Sequence, residues 1–238
     1  MRIDVITLCP RIIIAAMEEG ILKQAVKKGI LELFVHQLRD YAHDKHKTVD
    51  DRPYGGGPGM VLKCEPIFEA IESIGYSKDK DTVIFPSPSG IKFSQQLAKD
   101  LSKCSRLIFI CGQYEGVDQR VIDHLVNLEI GIGDYILSNG TIGALVIIDS
   151  VVRLIPGVLG NLDSIVNESF EDFLLEGPQY TRPRKFRDWE VPEILLSGNH
   201  KQILLWRKRL SEEKTEKLRK DLWEARKKES GYEPHRKN

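Results

Sequence analysis

Short apolar segments that alternate with helix-like segments constrain the fold of this chain more than any other feature. "RLIFIC" (106–111) is a continuous apolar run of strand length, which is typical of a strand buried on both faces of a parallel sheet. Between such runs, apolar residues recur every three or four positions, which predicts helices. Strands that alternate with helices predict an α/β fold with a mostly parallel sheet. The predicted strands are 3–8, 30–38, 82–87, 106–111 and 129–137, and the predicted helices are 12–29, 64–75, 94–103 (capped by Ser94), 116–126 and 141–155.

The pattern changes after "PGVLG" (156–160). Residues 161–190 are polar and contain few periodic apolar positions, which predicts a linker. The sequence from residue 191 onward predicts a short helix followed by one long charged helix. We therefore expect a domain over 1–160, an interdomain linker over 161–190 and a small all-helical C-terminal domain over 191–238.

The net charge of zero hides a difference between the two ends of the chain. Residues 201–238 contain 13 Lys or Arg and 7 Asp or Glu, whereas the first 200 residues contain 22 and 28. A basic C-terminal segment on an acidic body indicates a polyanionic partner. The alternative is a solvated helix face, because acidic and basic residues between 212 and 219 alternate at helix-pair spacing. Charge alone favours that second interpretation.

Composition excludes several classes of protein. With 41% hydrophobic and 29% charged residues, a globular chain is expected. No apolar run approaches the roughly 18 residues that a membrane span requires, and the N-terminus lacks the pattern of a signal peptide. Four scattered cysteines without a Cys-x-x-Cys pair indicate reduced thiols. The expectation is a cytoplasmic protein without a membrane partner.

A glycine-rich stretch, "YGGGPGM" (54–60), is a candidate ligand loop. A phosphate-binding P-loop is excluded because Gly59 is followed by Met60 and Val61, rather than by Lys and Ser or Thr. A dinucleotide fingerprint is excluded because Pro58 interrupts the glycine spacing. A mobile turn and a loop that approaches a ligand remain equally good interpretations of the stretch itself.

Three further loops follow predicted strands that would be neighbours in such a sheet. They are "PSPSG" (86–90), "CGQYEG" (111–116) and "IGDYILSNG" (132–140), which contain five glycines and no Lys or Arg. Ligands of open α/β sheets bind at the carboxyl ends of the strands. The lack of positive charge favours a neutral or cationic ligand held by backbone groups, such as an adenosine with a sulfonium tail. Each loop taken alone is better explained as a turn, whereas the three together favour a ligand site.

Five motifs in this order resemble one family along nearly the whole chain. They are "RPYGGGPGM" (52–60), "CGQYEGVDQRV" (111–121), "IGDYILSNG" (132–140), "VVRLIPGVLG" (151–160) and "SFEDFLLEGPQYTRP" (169–183). Together they resemble the bacterial tRNA (guanine-N1-)-methyltransferases, the TrmD family of the trefoil-knotted SPOUT class. The resemblance implies transfer of a methyl group from S-adenosylmethionine to N1 of the guanine 3′ of the anticodon (position 37) in tRNA.

The resemblance also implies an architecture. The sheet would contain a deep trefoil knot, an exception to the rule that chains do not knot. The knot would bind S-adenosyl-L-methionine, and a homodimer would share each active site between chains. A tRNA anticodon stem-loop would be the partner, and Mg²⁺ would assist catalysis, although no metal-ligand spacing is recognisable.

The resemblance further assigns site residues by motif. The cofactor would be bound by Pro86, Ser87, Pro88, Gly90, Gly112, Ile132, Gly133, Asp134, Tyr135, Ile136, Leu137, Gly140 and Ala144. The RNA would be bound by Tyr54, Gly57, Gly59, Arg182 and Arg184. The chain departs from the family pattern at Gln113, Asn139, Thr141 and Gly143. Because cofactor contacts there are mainly through the backbone, we expect binding to persist.

Three residues are the candidates for catalysis. N1 of guanine carries a proton and is a poor nucleophile until a base removes it, while negative charge moves onto O6. Asp172 matches the base that is proposed for the family, Arg153 matches the partner of O6 or of the carboxylate, and Glu115 would support the site. The structural alternative for Asp172 is a solvated carboxylate of the linker. The alternative for Arg153 is a helical residue that pairs with Asp149. A non-catalytic RNA-binding module and a nucleotide-phosphate enzyme are the other candidate functions.

Overall fold

The computed structural model describes residues 1–160 and 168–230, apart from the side chains of residues 171 and 230. The chain divides into two compact units, Met1–Gly160 and the residues from Asn161 onward.

The first unit is built on a parallel sheet of five strands in the order β2-β1-β6-β5-β7. The prediction of an α/β fold with a parallel sheet is confirmed. A separate two-stranded antiparallel sheet joins β3 to β4. The strands are β1 (Arg2–Thr7), β2 (Glu32–Gln37), β3 (Asp50–Asp51), β4 (Val61–Leu62), β5 (Thr82–Lys92), β6 (Arg106–Ile110) and β7 (Leu128–Gly131).

Helices cover both faces of the five-stranded sheet. Alternate residues of a strand point to opposite faces, so a strand with apolar residues at successive positions contributes to an apolar cluster on each face. Leu107 and Phe109 belong to the apolar cluster that α1, α2, α4 and α6 help to form, whereas Ile108 and Ile110 belong to the cluster around α3 and α5. These helices are α1 (Pro10–Met17), α2 (Gly20–Lys27), α3 (Cys64–Ser73), α4 (Gln95–Leu101), α5 (Gln119–Leu125) and α6 (Gly140–Val152). As predicted, Ser94 caps α4 by accepting a hydrogen bond from the Leu97 N–H at 3.2 Å.

The N-terminal helix differs from the prediction. The sequence pattern predicts one helix over 12–29, but this stretch forms α1 and α2, which are separated at Glu18 and Glu19. Gly20 has φ 63°, a left-handed conformation that glycine adopts at little cost and that stops a continuous helix.

A buried charge cluster lies beneath the amino-terminal edge of the sheet. The side chain of Asp4, in β1, is fully buried and accepts hydrogen bonds from Arg2, His36 and Arg106 at 2.9–3.0 Å. Arg106 also pairs with Asp81 at 3.2 Å. A buried carboxylate is tolerated only when it is paired in this way.

The second unit combines a small hairpin with two helices. Strands β8 (Lys185–Phe186) and β9 (Trp189–Glu190) pair antiparallel within the region for which the sequence predicts a linker. The sequence predicts one long charged helix near the C-terminus, but α7 (His200–Leu218) and α8 (Lys220–Ser230) are separated at Arg219. Arg219 has φ −135° and ψ 71°, which lie outside the helical region.

None of the helices in the two described stretches is both long enough and apolar enough to cross a bilayer.

Candidate functional site

A cavity of about 400 Å³ opens at the carboxyl ends of β6 and β7, where ligands of parallel sheets bind, and beside the irregular middle of β5, whose pairing with β7 shifts register between Pro86 and Ile91. Ten of the thirteen predicted cofactor residues line it, together with Glu115. The ten are Pro86, Ser87, Pro88, Gly112, Ile132, Gly133, Tyr135, Ile136, Leu137 and Gly140. Gly90, Asp134 and Ala144 are not part of the lining. Ala144 is buried in the core, Asp134 is exposed, and a side chain at Gly90 would collide with the backbone of Glu129.

The cavity depends on close contact between two loops that contain glycine. The Gly140 N–H donates to the Gly112 carbonyl at 2.7 Å, and Gln113 and Asn139 form an isolated antiparallel bridge. A Cβ on Gly140 would lie only 3.0 Å from the Gly112 nitrogen. Backbone packing therefore favours glycine here, because a side chain would require the Gly112 backbone to shift by a few tenths of an ångström.

The chemistry of the lining selects the charge of the ligand. Among the residues that line this cavity Glu115 is the only charged one, and the remainder are apolar, aromatic or neutral polar. Without Lys or Arg, the cavity is poorly suited to phosphate. Backbone groups, Ser87 and two exposed tyrosines suit a nucleoside, and Glu115 suits a positive centre.

The glycine-rich loop lies beside this cavity without lining it. Glu115 N–H donates to the Met60 carbonyl at 3.0 Å, and a Cβ on Gly59 would collide with the Glu115 side chain. Gly57 has φ 122° and Gly59 has φ 82°, so the loop needs glycine for its conformation. Tyr54 is fully exposed. The loop that contains the predicted substrate residues Tyr54, Gly57 and Gly59 is thus in contact with Glu115.

Arg153 lies at the end of α6. Its N–H donates to the Asp149 carbonyl at 3.2 Å, but the residue lines neither this cavity nor the cavity of the second unit.

The second unit has its own cavity, of about 420 Å³, between the segment that follows residue 168 and helix α7. Three acidic residues, Glu168, Asp172 and Glu176, line it opposite Arg207 and Lys208. Asp172, the predicted base, is therefore one of several carboxylates in one cavity. Its side chain is 75% exposed, so its carboxylate is accessible.

Asp172 is held by an arginine that the sequence did not indicate. Arg226 Nη1 donates to the Asp172 carboxylate at 2.7 Å and to the Asp172 carbonyl at 3.0 Å. Arg226 Nη2 donates to Glu212 at 3.3 Å, and the Arg226 side chain is only 9% exposed. This buried guanidinium therefore connects the two helices to the predicted base.

The backbone around Asp172 is strained and strongly restrained. Phe170, Asp172 and Phe173 all have positive φ, at 76°, 50° and 56°. Such conformations cost about 1–3 kcal/mol each for residues other than glycine. On α7, the Ser211 hydroxyl donates to the Leu175 carbonyl at 2.5 Å, and the Thr215 hydroxyl accepts from the Leu175 N–H at 2.9 Å. These bonds to α7 hold the segment in place.

The other predicted RNA contacts lie on an exposed surface. Arg182 and Arg184 are exposed, and Arg184 pairs with Glu193 at 3.3 Å. Within the described parts of the chain, no group of three or more His, Cys, Asp or Glu is placed to hold a metal ion.

Sequence reasoning missed Arg226, Ser211 and Thr215, which hold the segment that carries Asp172. Their partners are 36–54 residues away in the chain, so no local pattern marks them. The only signal was the helical periodicity of 200–218, which places Ser211 and Thr215 on one face at a spacing of four.

Comparisons with known proteins agree along nearly the entire chain. The family model described as tRNA (Guanine-1)-methyltransferase TrmD matches residues 1–225. The tRNA (guanine-N(1)-)-methyltransferase of Methylacidiphilum infernorum (isolate V4) is 86% identical over 228 residues, which cover 96% of this chain and 98% of the relative. The protein of the same name from Azobacteroides pseudotrichonymphae is 49% identical over 222 residues, or 93% and 100% of the two chains. That of Carboxydothermus hydrogenoformans is 53% identical over 226 residues, or 95% and 88%.

Proposed function

Because the chain belongs to the tRNA (guanine-1)-methyltransferase family, we propose that it is an enzyme that methylates N1 of the guanine 3′ of the anticodon, at position 37 of tRNA. The observation that carries this proposal beyond family membership is the first-unit cavity, at the carboxyl ends of β6 and β7 and beside the middle of β5. It combines a nucleoside-sized volume with a lining that has a carboxylate and no basic side chain.

S-adenosylmethionine is the proposed cofactor of this cavity. When bound, it supplies a methyl group that is already activated by a sulfonium. The lining fits such a ligand, because backbone groups and apolar side chains can hold an adenosine and Glu115 can face a positive charge. A trefoil knot around this cavity is part of the proposal, and the resemblance of the five motifs to the SPOUT class supports it.

The proposed chemistry assigns one role to each of three side chains. Asp172 accepts the proton of guanine N1, which makes the nitrogen nucleophilic. Arg153 stabilises the negative charge that moves onto O6. Glu115 supports the cofactor end of the site, and positioning of N1 against the methyl group contributes much of the remaining acceleration.

A homodimer is part of the proposal, with Asp172 of one chain acting at the cofactor cavity of its partner. The resemblance of the five motifs to the family supports it. The Asp172 side chain is 75% exposed, so a second chain can reach it, and it belongs to the second unit, whereas the residues that line the cofactor cavity all belong to the first.

The RNA is proposed to bind through separate charged and flat surfaces. Residues 201–238 carry a net charge of +6 and would contact phosphates, together with Arg182 and Arg184. The loop with Tyr54, Gly57 and Gly59 would lie against the guanine, because a backbone without side chains leaves room for a flat base. The cytoplasm is the proposed compartment, and the four cysteines are free as it requires.

Mg²⁺ is assigned no step in this mechanism. The described residues offer no cluster of ligands that fits the ion, so each proposed step relies on side chains of the protein.

The test is a methylation assay with the product mapped. The chain is incubated with labelled S-adenosylmethionine and an anticodon stem-loop that has guanine at position 37, and the methylated atom is identified. Methylation of N1 is expected, and a loop with adenine at position 37 should remain unlabelled. If the chain binds RNA but takes up no S-adenosylmethionine in calorimetry, it is an RNA-binding module and the proposed function is wrong.

A further inference from the structure

The hairpin β8–β9 carries two aromatic rings on one face. Phe186 and Trp189 are cross-strand partners, so their side chains point to the same side of the hairpin. Their ring centroids are 6.1 Å apart and the planes are tilted by 38°. Phe186 is 57% exposed and Trp189 is 65% exposed. Large flat surfaces are therefore open to solvent.

An arginine completes this aromatic face. Arg187, in the two-residue turn, has φ 56°, and its guanidinium carbon lies 5.3 Å from the Phe186 ring centre and 5.8 Å from that of Trp189. A guanidinium near an aromatic ring is attracted by the ring's quadrupole. We call Phe186, Arg187 and Trp189 the aromatic platform.

The aromatic platform belongs to a stretch that is open to solvent throughout. Every residue from 181 to 190 is exposed. A two-stranded hairpin of this size is only marginally stable by itself, and exposed aromatic patches mark surfaces that bind another molecule. The platform thus has the properties of a docking surface.

The charge around the platform favours a polyanion as the partner. Residues 182–190 contain four basic and two acidic residues. Lys185 pairs with Glu190 at 3.5 Å and Asp188 follows Arg187 in the turn, so the net charge of this stretch is +2. A partner that has both negative charge and flat apolar groups is a single-stranded nucleic acid.

We propose that the aromatic platform stacks one or two unpaired bases of the RNA substrate. The inference rests on the proposed function, which makes the unpaired loop of a tRNA the substrate. Unpaired RNA bases characteristically stack on aromatic rings and on guanidinium planes. The platform therefore adds an interaction that depends on bases, whereas the basic residues of the C-terminal segment bind phosphates.

The test replaces the rings without changing the charge. Trp189→Leu and Phe186→Leu keep apolar bulk but remove the aromatic faces. Each should weaken binding of the anticodon stem-loop by ~10-fold or more, because stacking of one base contributes on that scale. The salt dependence of binding should stay the same, because the basic side chains that neutralise phosphates are unchanged. Phe34→Leu is the matched control, since Phe34 is an exposed ring in the first unit that lies 4.7 Å from the Arg2 guanidinium. It should leave RNA affinity unchanged.

A second arm changes the RNA and leaves the protein intact. Abasic sites are placed at each loop position in turn. Removal of the base that stacks on the platform should weaken binding to the parent protein, and should cost little more when Trp189 is already Leu. This non-additivity identifies a direct interaction between ring and base.

Three outcomes would overturn the proposal. In the first, both leucine variants bind the stem-loop within twofold of the parent protein. In the second, no abasic position shows coupling to Trp189. In the third, the variants change the sedimentation mass and not RNA affinity, so that the platform binds a second copy of the chain. Failure of the proposed function is distinct, because the parent protein itself would then not methylate the stem-loop.

Discussion

Arg226 donates to both the carboxylate and the backbone carbonyl of Asp172, at 2.7 and 3.0 Å. One carboxylate oxygen is thereby engaged by a buried guanidinium, while the side chain as a whole remains 75% exposed. Hydrogen bonds to charged groups are stronger than neutral ones, so this interaction restrains the carboxylate in one orientation. The relationship determines how the proposed base can be tested.

Asp172→Asn should lower methyl transfer by ~10²–10⁴-fold, because a general base contributes on that scale. The affinity for S-adenosylmethionine should remain the same, since Asp172 does not line the first-unit cavity. Single-turnover rates and calorimetry provide the two measurements. Turnover close to that of the parent would show that Asp172 is not the base.

The second-unit cavity, which Asp172 lines, supplies comparison variants for this experiment. Glu168 and Glu176 also line it, so Glu168→Gln and Glu176→Gln remove a neighbouring charge without altering Asp172. If Asp172 is the base, both variants retain much more activity than Asp172→Asn. A larger loss in Glu168→Gln would assign the proton transfer to Glu168 instead.

Gly140→Ala should weaken S-adenosylmethionine binding and reduce stability by about 1–3 kcal/mol, because the added methyl group would push the two loops apart. A Cβ there would lie 3.0 Å from the Gly112 nitrogen. Gly160→Ala is the control, since a Cβ at Gly160 has no atom of the described residues within 4 Å. Calorimetry and thermal unfolding of the two variants measure the difference. If the two variants have the same affinity for S-adenosylmethionine and the same thermal stability, the loops are not tightly packed.

Mixing two inactive variants should restore activity if the proposed site is shared between chains. Asp172→Asn supplies an intact cofactor cavity and Tyr135→Ala supplies an intact base. Random exchange of subunits would then produce roughly a quarter of the parent activity through hybrid dimers. Activity is measured before and after the two proteins are mixed under conditions that permit exchange. A mixture whose activity never exceeds that of either variant alone would rule out the shared site.

The basic C-terminal segment should contribute to the salt dependence of tRNA binding. Deleting the segment would also remove Ser211 and Thr215, which hold the backbone of Leu175, so charge substitutions are the sharper test. The triple variant Lys201→Gln, Lys217→Gln, Lys220→Gln should weaken binding and flatten the log–log salt slope by ~0.9 for each phosphate that is no longer neutralised. Affinity for S-adenosylmethionine should not change.

A control for this experiment removes the same charge elsewhere. Lys78, Lys80 and Lys103 belong to the first unit, so they carry the same total charge outside the C-terminal segment. Their triple glutamine variant should keep the parent slope. If the two triple variants have the same slope as the parent, the segment is a solvated helix face and the RNA-binding role is rejected.

Asp4 should contribute to stability in a defined range of pH. Burial alone would raise the pKa of Asp4, but hydrogen bonds from His36, Arg2 and Arg106 outweigh it and lower the pKa to about 2. Because the folded-state pKa is below the unfolded value, this stabilisation is present above pH ~4 and is lost as the pH falls toward ~2.

Asp4→Asn should therefore cost about 3 kcal/mol near neutral pH, since it leaves buried Arg106 without a charged partner on β1. Between pH ~4 and ~2 the difference from the parent should shrink. Urea unfolding across this range of pH measures the difference in unfolding free energy between the variant and the parent, with the exposed Asp79→Asn variant as control. A difference that is independent of pH would contradict the pairing.

Patterns that are local in the sequence predicted local structure. Continuous apolar runs such as 106–111 became buried strands, because a strand covered on both faces needs apolar residues at every position. Ser94 capped α4, since a hydroxyl three residues before a free N–H is within reach whatever the rest of the fold does. The predicted loops after β6 and around residue 133 were likewise found together, because parallel strands place their carboxyl ends at one edge, whereas the predicted loop 86–90 became an irregular part of β5.

The interactions that build the site depend on distant parts of the chain and were decided by tertiary structure. The reach of Arg226 to Asp172 spans 54 residues, and the hydroxyl bonds of α7 to Leu175 span 36 and 40. No periodicity encodes such pairs, since each forms only when packing brings its two segments together. The same holds for Gly140, whose lack of a side chain has a use only because Gly112 packs against it. Composition and motif thus determined the main strands and the family, whereas packing determined where the helices break and which side chains and backbone groups restrain one another.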